Sequence, residues 1–300
     1  MTLVAGVDGG QSSTVAVIVD DAERVLGRGV AGPSDHVDEP VDSHRCADAC
    51  ELAVARALAA AKLAPLTPLE TVVVGLSGFD GAMHGAAPRF SGATVRFEHD
   101  APIALAGAIA QRPGVIVIAG TGSVAYGEAV DGRAIRIGGF GYLFGDVGSA
   151  FVLARDALAY AMAQDDHGNR TGVGQAALAY FNQPNLRALA RAYYLKEIPR
   201  PELATFARVV LDAVRLGDPE AGALVDAAAN ALADLATTAI ERLKLAGKTV
   251  PVAFIGGMTK NVDLHARAAR ALAARAPHAI TVSPAHEPAI GAARMALGRW

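Results

Sequence analysis

Short apolar runs and longer segments of helical spacing alternate along the first third of the chain. Turn residues separate the runs, with Gly9-Gly10 and Asp20-Asp21 as the clearest examples. The run at residues 72–76 has no polar side chain, which is typical of a strand buried on both faces of a parallel sheet. The predicted strands are residues 4–7, 14–19, 25–30, 72–76 and 95–98, and the predicted helices are residues 43–63 and 100–111.

The rest of the chain repeats this order, beginning with another buried strand that runs into a glycine turn. A hairpin is predicted around Asp131-Gly132, where turn residues separate two β-rich runs. The predicted strands are residues 115–119, 124–128, 133–137, 252–255 and 280–282. The predicted helices are residues 151–163, most of 175–245, the segment from 258 to 274, and 288–298.

Because the order strand–strand–strand–helix occurs twice, we predict two related α/β lobes. Pro113-Gly114 is the best candidate boundary between them. We expect a small N-terminal lobe of residues 1–112 together with the C-terminal helix 286–300. Residues 113–285 are expected to form a larger C-terminal lobe.

Composition narrows the class of protein. The 300 residues are 52% hydrophobic and 19% charged, with a net charge of −3, which is enough apolar material for two cores and gives no sign of a nucleic-acid surface. The N-terminus lacks the basic start and long apolar run of a signal peptide. No uninterrupted apolar stretch reaches the roughly 18–20 residues of a membrane span. We therefore expect a cytoplasmic protein that binds neither nucleic acid nor membrane.

The two cysteines, Cys46 and Cys50, are four residues apart on a predicted helix and so face the same side. With His44 they suggest a metal site, but the sequence offers no evident fourth ligand. The simpler interpretation is a pair of small buried side chains.

The first segment with chemical potential follows the first strand. A turn of small residues lets backbone N–H groups approach phosphate oxygens, and Asp8 can hold the hydration shell of a Mg²⁺ ion. An ordinary hairpin turn would have the same composition. The segment consists of Asp8, Gly9, Gly10, Gln11, Ser12 and Ser13.

A second turn of the same kind, Gly120-Thr121-Gly122-Ser123, follows the strand at 115–119. One such turn is weak evidence, whereas two that open similar strand patterns favour a clamp on one polyphosphate. A third glycine turn, Gly256-Gly257-Met258, offers a flat backbone surface for a nucleotide base or ribose.

His99-Asp100 lies where a strand enters a helix. A carboxylate near a helix N-terminus is favoured in its ionised form and can accept a hydroxyl proton during phosphoryl transfer. Asp100 could equally be a simple helix cap. The glycine-rich segment from Gly138 to Ala150 contains aromatic residues and Asp146. It favours a substrate loop, with a cap by Asp146 as the alternative.

Together these motifs resemble the phosphate-1, phosphate-2 and adenosine motifs of the sugar kinase–Hsp70–actin superfamily. Within it, His99-Asp100 with AGTGSVAYG and GGFGYLFGDVGSAF resembles the N-acetylglucosamine kinase and broad-specificity hexokinase family. That family shares an ATPase domain with the activators of benzoyl-CoA reductase. The resemblance covers essentially the whole chain and implies two actin-like, ribonuclease H-like lobes with a nucleotide cleft between them.

The resemblance also implies roles at matching positions. Asp100 matches the catalytic base, and Ser12 and Thr121 match hydroxyls that contact ATP. The implied ATP-binding residues are Asp8, Gly9, Gly10, Gln11, Ser12, Ser13, Thr121, Gly122, Ser123, Gly256, Gly257 and Met258, with Mg²⁺ held by Asp8 through water. The implied sugar-binding residues are Ser34, Asp35, His36, Asp80, Gly139, Phe140, Gly141 and Asp146.

Three departures from the family pattern bear on these roles. Gln11 replaces a glycine, Phe140 stands where many members have Trp, and Asp35-His36 replaces an Asn. A carboxylate at Asp35 would favour a free amino sugar by pairing with its ammonium group. We therefore expect Asp35→Asn to change the ratio of glucosamine to N-acetylglucosamine turnover.

The expected activity is ATP-dependent phosphorylation of a hexose or amino sugar at the 6-hydroxyl, with ATP and Mg²⁺ required. N-acetylglucosamine, glucosamine and glucose are the candidate sugars. A homodimer is a further implication of the resemblance. The alternative function is a nucleotide-switch ATPase that activates a partner enzyme.

Overall fold

The computed structural model describes residues 2–34, 37 and 39–300, and the chain divides into two compact units. Unit 1 comprises the chain up to Gly114 together with Ser283–Trp300, and unit 2 comprises Val115–Val282. The division expected from the sequence, into a lobe of residues 1–112 with 286–300 and a lobe of residues 113–285, stays a prediction.

Strands and helices lie where the hydrophobic pattern predicts them, with small shifts at their ends. In the described part of the chain the strands are β1 Leu3–Gly9, β2 Thr14–Asp20, β3 Val25–Ala31, β4 Thr71–Leu76, β5 Thr94–His99, β6 Gly114–Ala119, β7 Ser123–Glu128, β8 Ala134–Gly138, β9 Val250–Ile255 and β10 Ala279–Thr281. The helices are α1 Arg45–Ala60, α2 Asp100–Ala108, α3 Ala150–Asp166, α4 Gly172–Tyr180, α5 Leu186–Tyr194, α6 Arg200–Thr205, α7 Ala207–Arg215, α8 Pro219–Arg242, α9 Val262–Arg275 and α10 Pro288–Ala296, with a 3₁₀ turn at Met258–Lys260.

The sheet of unit 1 has the strand order β3-β2-β1-β4-β5. Its first three strands are antiparallel hairpin neighbours, whereas β1, β4 and β5 run parallel. The carboxyl ends of those three strands therefore meet at one edge of the sheet. Gly9 is paired with Leu76, and Leu76 with His99, so the register aligns the three strand ends.

The sheet of unit 2 has the order β10-β9-β6-β7-β8, which is the same connectivity written from the other side. Here β6, β9 and β10 are parallel and β7 pairs antiparallel with β8. The predicted repetition of one α/β pattern is thus confirmed. The helices from α3 to α9 supply most of the core of this unit.

Cys46 and Cys50 are buried on α1, in the core that this helix forms with β1, β2 and β4. The interpretation of the pair as small core side chains is therefore confirmed. Among the described residues, no group of His, Cys, Asp and Glu is arranged to hold a metal ion by itself.

Helix α2 ends at Ala108, three residues earlier than the sequence pattern predicts. The guanidinium group of Arg294, on α10, donates to the carbonyl oxygens of Ala106, Ile109 and Ala110 at 2.8, 3.3 and 2.8 Å. These carbonyls have no partner inside a helix that stops there, so Arg294 satisfies them and closes α2.

Helix α10 lies against the backbones of β1 and α2, and glycine makes this close approach possible. A Cβ atom at Gly6 on β1 would lie 2.0 Å from the Ala289 oxygen, and a Cβ atom at Gly291 on α10 would lie 2.0 Å from the Ile103 oxygen. Both contacts are far shorter than real carbon–oxygen contacts. The C-terminal helix therefore packs on unit 1 backbone to backbone.

One helix in the described chain, α8, is long and apolar enough to cross a membrane by length and composition. Its apolar side chains, including Leu232 and Ala236, are buried in the core of unit 2. Packing within the unit accounts for its apolar character.

We predict that Gly291→Ala destabilises the protein by about 3 kcal/mol or more, because the new methyl group would push α10 away from α2. The matched control is Gly222→Ala on α8, where a Cβ atom would meet nothing within 4 Å. That change should stabilise the helix by roughly 0.5–1 kcal/mol. Urea unfolding of both variants gives the comparison, and equal effects would contradict the packing described for α10.

Candidate active site

Two predicted site residues of unit 1 lie at the same sheet edge. Asp8 is the penultimate residue of β1, and Asp100 directly follows β5 as the first residue of α2. β4 lies between these strands, so the two backbones are roughly 10 Å apart. Gly75 on β4 leaves room for the side chain of Ile103, which seats α2 on the sheet. This packing fixes the position of Asp100 at the start of α2.

The turn after β1 is a tight hairpin turn, as the simpler interpretation of its composition proposed. The Gly10 N–H donates to the Ser13 carbonyl at 3.0 Å, and β2 then pairs antiparallel with β1. The side chains of Gln11, Ser12 and Ser13 are exposed. The geometry is therefore that of an ordinary hairpin with two hydroxyl groups in solvent, and the assignment of these residues to ATP stays a prediction.

Asp8 carries the strongest electrostatic signal in this part of the chain. The pKa of its carboxyl group is raised to about 7, mainly by burial and in smaller part by the neighbouring charges of Asp100 and Glu287. Glu287 precedes α10, where its carboxylate binds Arg28 of β3 through two hydrogen bonds of 3.0 and 3.1 Å. The charges of Asp100 and Glu287 therefore act on Asp8 at the end of the sheet, and a carboxyl pKa raised in this way is typical of functional sites.

Asp100 is not the cap of α2, so the simpler alternative for this residue is wrong. The N-cap position is occupied by His99, whose ring nitrogen Nδ1 lies 3.1 Å from the backbone nitrogen of Ala101. The same Nδ1 lies 2.7 Å from Oδ1 of Asp100. Because its side chain is not used for capping and is 31% exposed, Asp100 retains an oxygen that can meet a ligand.

Two other predicted sugar residues of unit 1, Ser34 and Asp80, lie outside its strands and helices. Ser34 is buried, and its Oγ has no hydrogen-bond partner among the described residues. Asp80 is exposed and accepts from the Ala82 N–H at 3.2 Å in a local turn. Asp35 and His36 lie outside the described residues. The sugar roles of all four stay predictions.

In unit 2, the Gly120–Ser123 turn is tied to the glycine-aromatic loop by Asp146. The Asp146 carboxylate is buried and accepts from the Ser123 N–H at 3.2 Å. It lies so close beneath the turn that a Cβ atom at Gly122 would be 2.8 Å from its Oδ2 atom. The Ser123 hydroxyl also donates to the Val147 carbonyl at 2.7 Å.

Two backbone bonds extend this connection, from the Ala150 N–H to the Gly120 oxygen at 2.9 Å and from the Phe151 N–H to the Thr121 oxygen at 3.4 Å. The predicted phosphate turn and the predicted sugar loop are thus one structural element. Asp146 does not cap α3, because Ser149 does so by accepting from the Val152 N–H. The cap interpretation of Asp146 is therefore wrong. Its sugar contact stays a prediction.

The glycine-aromatic loop exposes its aromatic side chains. Gly139 and Gly141 have φ angles of +70° and +77°, which a bulkier residue would adopt only under strain. Phe140 between them is 73% exposed. A phenyl face held in this way is suited to packing against a ligand, which is consistent with the predicted role of the loop.

The turn after β9 brings glycine close to the end of β6. Gly256 has a φ angle of +102°, and a Cβ atom there would be 2.4 Å from the Ala119 oxygen, whereas Gly257 faces open space. The Met258 side chain is buried in the core of unit 2. Any contact of Met258 with a nucleotide would therefore come from its backbone.

Sequence reasoning did not identify Glu287 as a charge acting on Asp8 or Arg28 as the partner of Glu287, and it treated His99 only as part of a motif. Glu287 is 279 positions from Asp8 along the chain, and no local pattern connects them. Glu287 before Pro288 is a common helix start, which is the only signal its sequence context offers.

The duplicated sheet defines the class of protein: the fold is α/β with two actin-like, ribonuclease H-like lobes. The solved structure of a candidate N-acetylglucosamine kinase from Chromobacterium violaceum has the same fold, with a TM-score of 0.75 over 99% of both chains at 24% identity. The chain belongs to the BadF/BadG/BcrA/BcrD ATPase family, whose model matches residues 5–296.

Two curated relatives are similar over part of the chain. The N-acetylmuramic acid/N-acetylglucosamine kinase of Clostridium acetobutylicum is 32% identical over 166 residues, which cover 55% of this chain and 54% of that protein. The N-acetyl-D-glucosamine kinase of Dictyostelium discoideum is 28% identical over 188 residues, covering 61% of this chain and 59% of that protein. The chain therefore spans little more than half the length of the curated relatives it matches.

We predict that Asp8→Asn makes the ligand-free protein more stable at alkaline pH. A carboxyl group whose pKa is raised on folding favours the native state below its unfolded pKa, and this benefit is lost as the pH rises through its folded value of about 7. The stability gained by Asn should therefore grow between about pH 4 and pH 7 and then level off, at roughly 2–4 kcal/mol. Urea unfolding at pH 5 and pH 8 without Mg²⁺ measures it.

The control for that experiment is Asp131→Asn. The Asp131 carboxyl has a lowered pKa because it bonds the Arg133 side chain, so this variant should gain no stability at alkaline pH. An Asp8→Asn advantage that stays constant from pH 5 to pH 8 would contradict the raised pKa of Asp8.

We predict that Asp146→Ala destabilises the protein by about 2–4 kcal/mol. The change leaves the buried Ser123 N–H without its acceptor and places Ala at a φ angle of +57°. Asp146→Asn keeps an acceptor oxygen and tolerates that backbone conformation, so it should cost about 1 kcal/mol or less. Denaturant unfolding distinguishes the two variants, and equal losses would show that the bond to Ser123 contributes little.

Proposed function

We propose that this protein transfers the γ-phosphoryl group of ATP to the 6-hydroxyl of a hexose or amino sugar, with Asp100 as the general base. The observation that carries the proposal is the position of Asp100 beside Asp8 at the carboxyl edge of the sheet in unit 1. One carboxylate is suited to the phosphate side of the reaction and the other to the hydroxyl side, as phosphoryl transfer requires.

Membership of an ATPase family supports the nucleotide, and the names of the two curated relatives support an amino sugar. N-acetylglucosamine is therefore the first candidate substrate, followed by glucosamine and glucose. A muramic acid derivative is compatible with the name of the Clostridium relative. The 6-hydroxyl is chosen because it is the primary alcohol of these sugars and the least hindered nucleophile.

The residues around Asp8 fit a magnesium ion. A carboxylate that is buried beside two others is unstable as an anion, and a divalent cation nearby would reverse that balance. Asp8 would hold the ion through its water ligands. The bound ion would neutralise charge on the nucleotide phosphates during transfer.

Asp100 would accept the proton of the 6-hydroxyl as the sugar oxygen bonds to the γ-phosphorus and the bond to ADP breaks. Backbone N–H groups and hydroxyls of the turn at Ser12 and Ser13 would bind phosphate oxygens. Most of the rate enhancement would come from positioning and charge neutralisation rather than from covalent chemistry.

The loop of unit 2 would contribute to sugar binding through the exposed face of Phe140. Since Asp146 ties this loop to the Thr121 turn, nucleotide binding and sugar binding would depend on the same element. A cytoplasmic location and a homodimer are further parts of the proposal.

We expect sugar-dependent ADP release from the wild-type protein in a coupled assay over a panel of hexoses and amino sugars. Asp100→Asn should lower kcat by at least about 100-fold, because general base catalysis contributes about 10²- to 10⁴-fold. ATP affinity, measured by calorimetry, should stay within a few-fold of wild type. Asp131→Asn, on a distant exposed turn of unit 2, is the matched control and should retain full activity.

ATP hydrolysis that no sugar stimulates would overturn the proposal and favour the nucleotide-switch alternative. Loss of ATP binding in Asp100→Asn with turnover retained would show that Asp100 has been given the wrong role.

A further inference from the structure

The imidazole ring of His99 makes two short contacts through one nitrogen atom. Nδ1 lies 2.7 Å from Oδ1 of Asp100 and 3.1 Å from the backbone nitrogen of Ala101. The imidazole ring and the carboxylate are both partly buried, with side-chain exposures of 20% for His99 and 31% for Asp100. The pair sits at the end of β5, where the chain turns into α2.

A proton count shows that the two contacts cannot both be hydrogen bonds to the same form of the ring. An unprotonated Nδ1 has one lone pair, which can accept from Ala101 but offers nothing to a carboxylate. A carboxylate oxygen at 2.7 Å requires a proton on Nδ1, and charge-assisted hydrogen bonds have this length. With Asp100 ionised, as a general base must be, the proton belongs on Nδ1 and points at Oδ1.

This hydrogen bond gives the two carboxylate oxygens of Asp100 different roles. Oδ1 is held by His99, so the plane of the carboxylate is fixed and Oδ2 is the oxygen left to meet a substrate hydroxyl. A carboxylate on the first residue of a helix would otherwise rotate among its rotamers. A carboxylate that is already fixed loses less conformational entropy when the substrate binds and reacts.

We infer that His99 is a positioning residue for the catalytic base: its Nδ1–H holds Oδ1 of Asp100 so that Oδ2 receives the proton of the sugar hydroxyl. The inference rests on the proposed function. In the reaction the hydroxyl proton moves to Oδ2 and the new phosphate ester bond replaces the bond to ADP. The His99 proton stays on Nδ1, so no other group gains or loses a proton.

A capping role alone would make different predictions, and three variants separate the two roles. His99→Asn offers both an acceptor for the Ala101 N–H and an N–H donor for Asp100. His99→Ser keeps a good helix cap but has no donor long enough to hold Asp100. His99→Ala loses both functions.

For a positioning role we expect kcat to fall about 10- to 100-fold in His99→Ser and His99→Ala but no more than about 5-fold in His99→Asn. KM for the sugar and for ATP should stay within about 3-fold in all three. The melting temperature should fall by several degrees only in His99→Ala. Wild-type kcat in His99→Ser, or equal kcat in His99→Ser and His99→Asn, would overturn the inference.

The tautomer of the ring gives a readout that does not depend on turnover. We expect long-range ¹H–¹⁵N NMR spectra of the wild-type protein to show the proton of His99 on Nδ1, with the His99→Asn spectrum identifying its signals. A neutral ring that carries its only proton on Nε2 would overturn the inference, whatever the kinetics. If Nδ1 is protonated but no sugar stimulates ADP release, the proposed function and the role of Asp100 as its base are both wrong. The hydrogen bond between His99 and Asp100 would still be confirmed.

Discussion

In unit 1 the carboxylate of Asp8 is largely buried at the end of the sheet and feels the charges of Asp100 and Glu287, and the electrostatics of the site depend on that arrangement. Burial and these like charges cost free energy when Asp8 is ionised in the ligand-free protein, and the raised pKa of Asp8 is the expression of that cost. Glu287 is compensated by Arg28, whereas no hydrogen bond to the Asp8 carboxylate is found among the described residues. A site built in this way is best stabilised by a cation, and the nucleotide proposed here would bring one.

Secondary structure positions this cluster by two different means. The parallel register of β1, β4 and β5 places Asp8 and Asp100 at the same edge. The backbone packing of α10 at Gly6 and Gly291 brings in Glu287 from the other end of the chain. Unit 2 uses a third means, since a buried aspartate, Asp146, fixes a glycine turn and a long loop to each other. In each case the position of the carboxylate depends on main-chain geometry provided elsewhere.

The N-termini of α2 and α3 show how the structure decides between a helix cap and another role for an aspartate. From sequence alone, Asp100 and Asp146 were each as compatible with a helix cap as with a functional role. The structure assigns the caps to their neighbours His99 and Ser149. Cap propensity is a property of residue types, and it cannot say which of two adjacent polar side chains turns back toward the helix.

Much of the fold was predictable because strands, turns and helices are determined largely by residues close together in the sequence. The apolar runs, glycine turns and helical spacing gave the order of strands and helices, and the repetition of that order indicated two related lobes. The motifs at Asp8, Thr121 and residues 139–146 sufficed for the family, since such turns recur with fixed spacing. What only the tertiary structure decided were contacts between residues far apart: Glu287 and Arg28, Asp146 beneath Gly122, and the end of α2 at Arg294. The physical reason is that hydrophobic periodicity and turn chemistry act over a few residues, whereas burial, charge crowding and backbone approach exist only once the chain is packed.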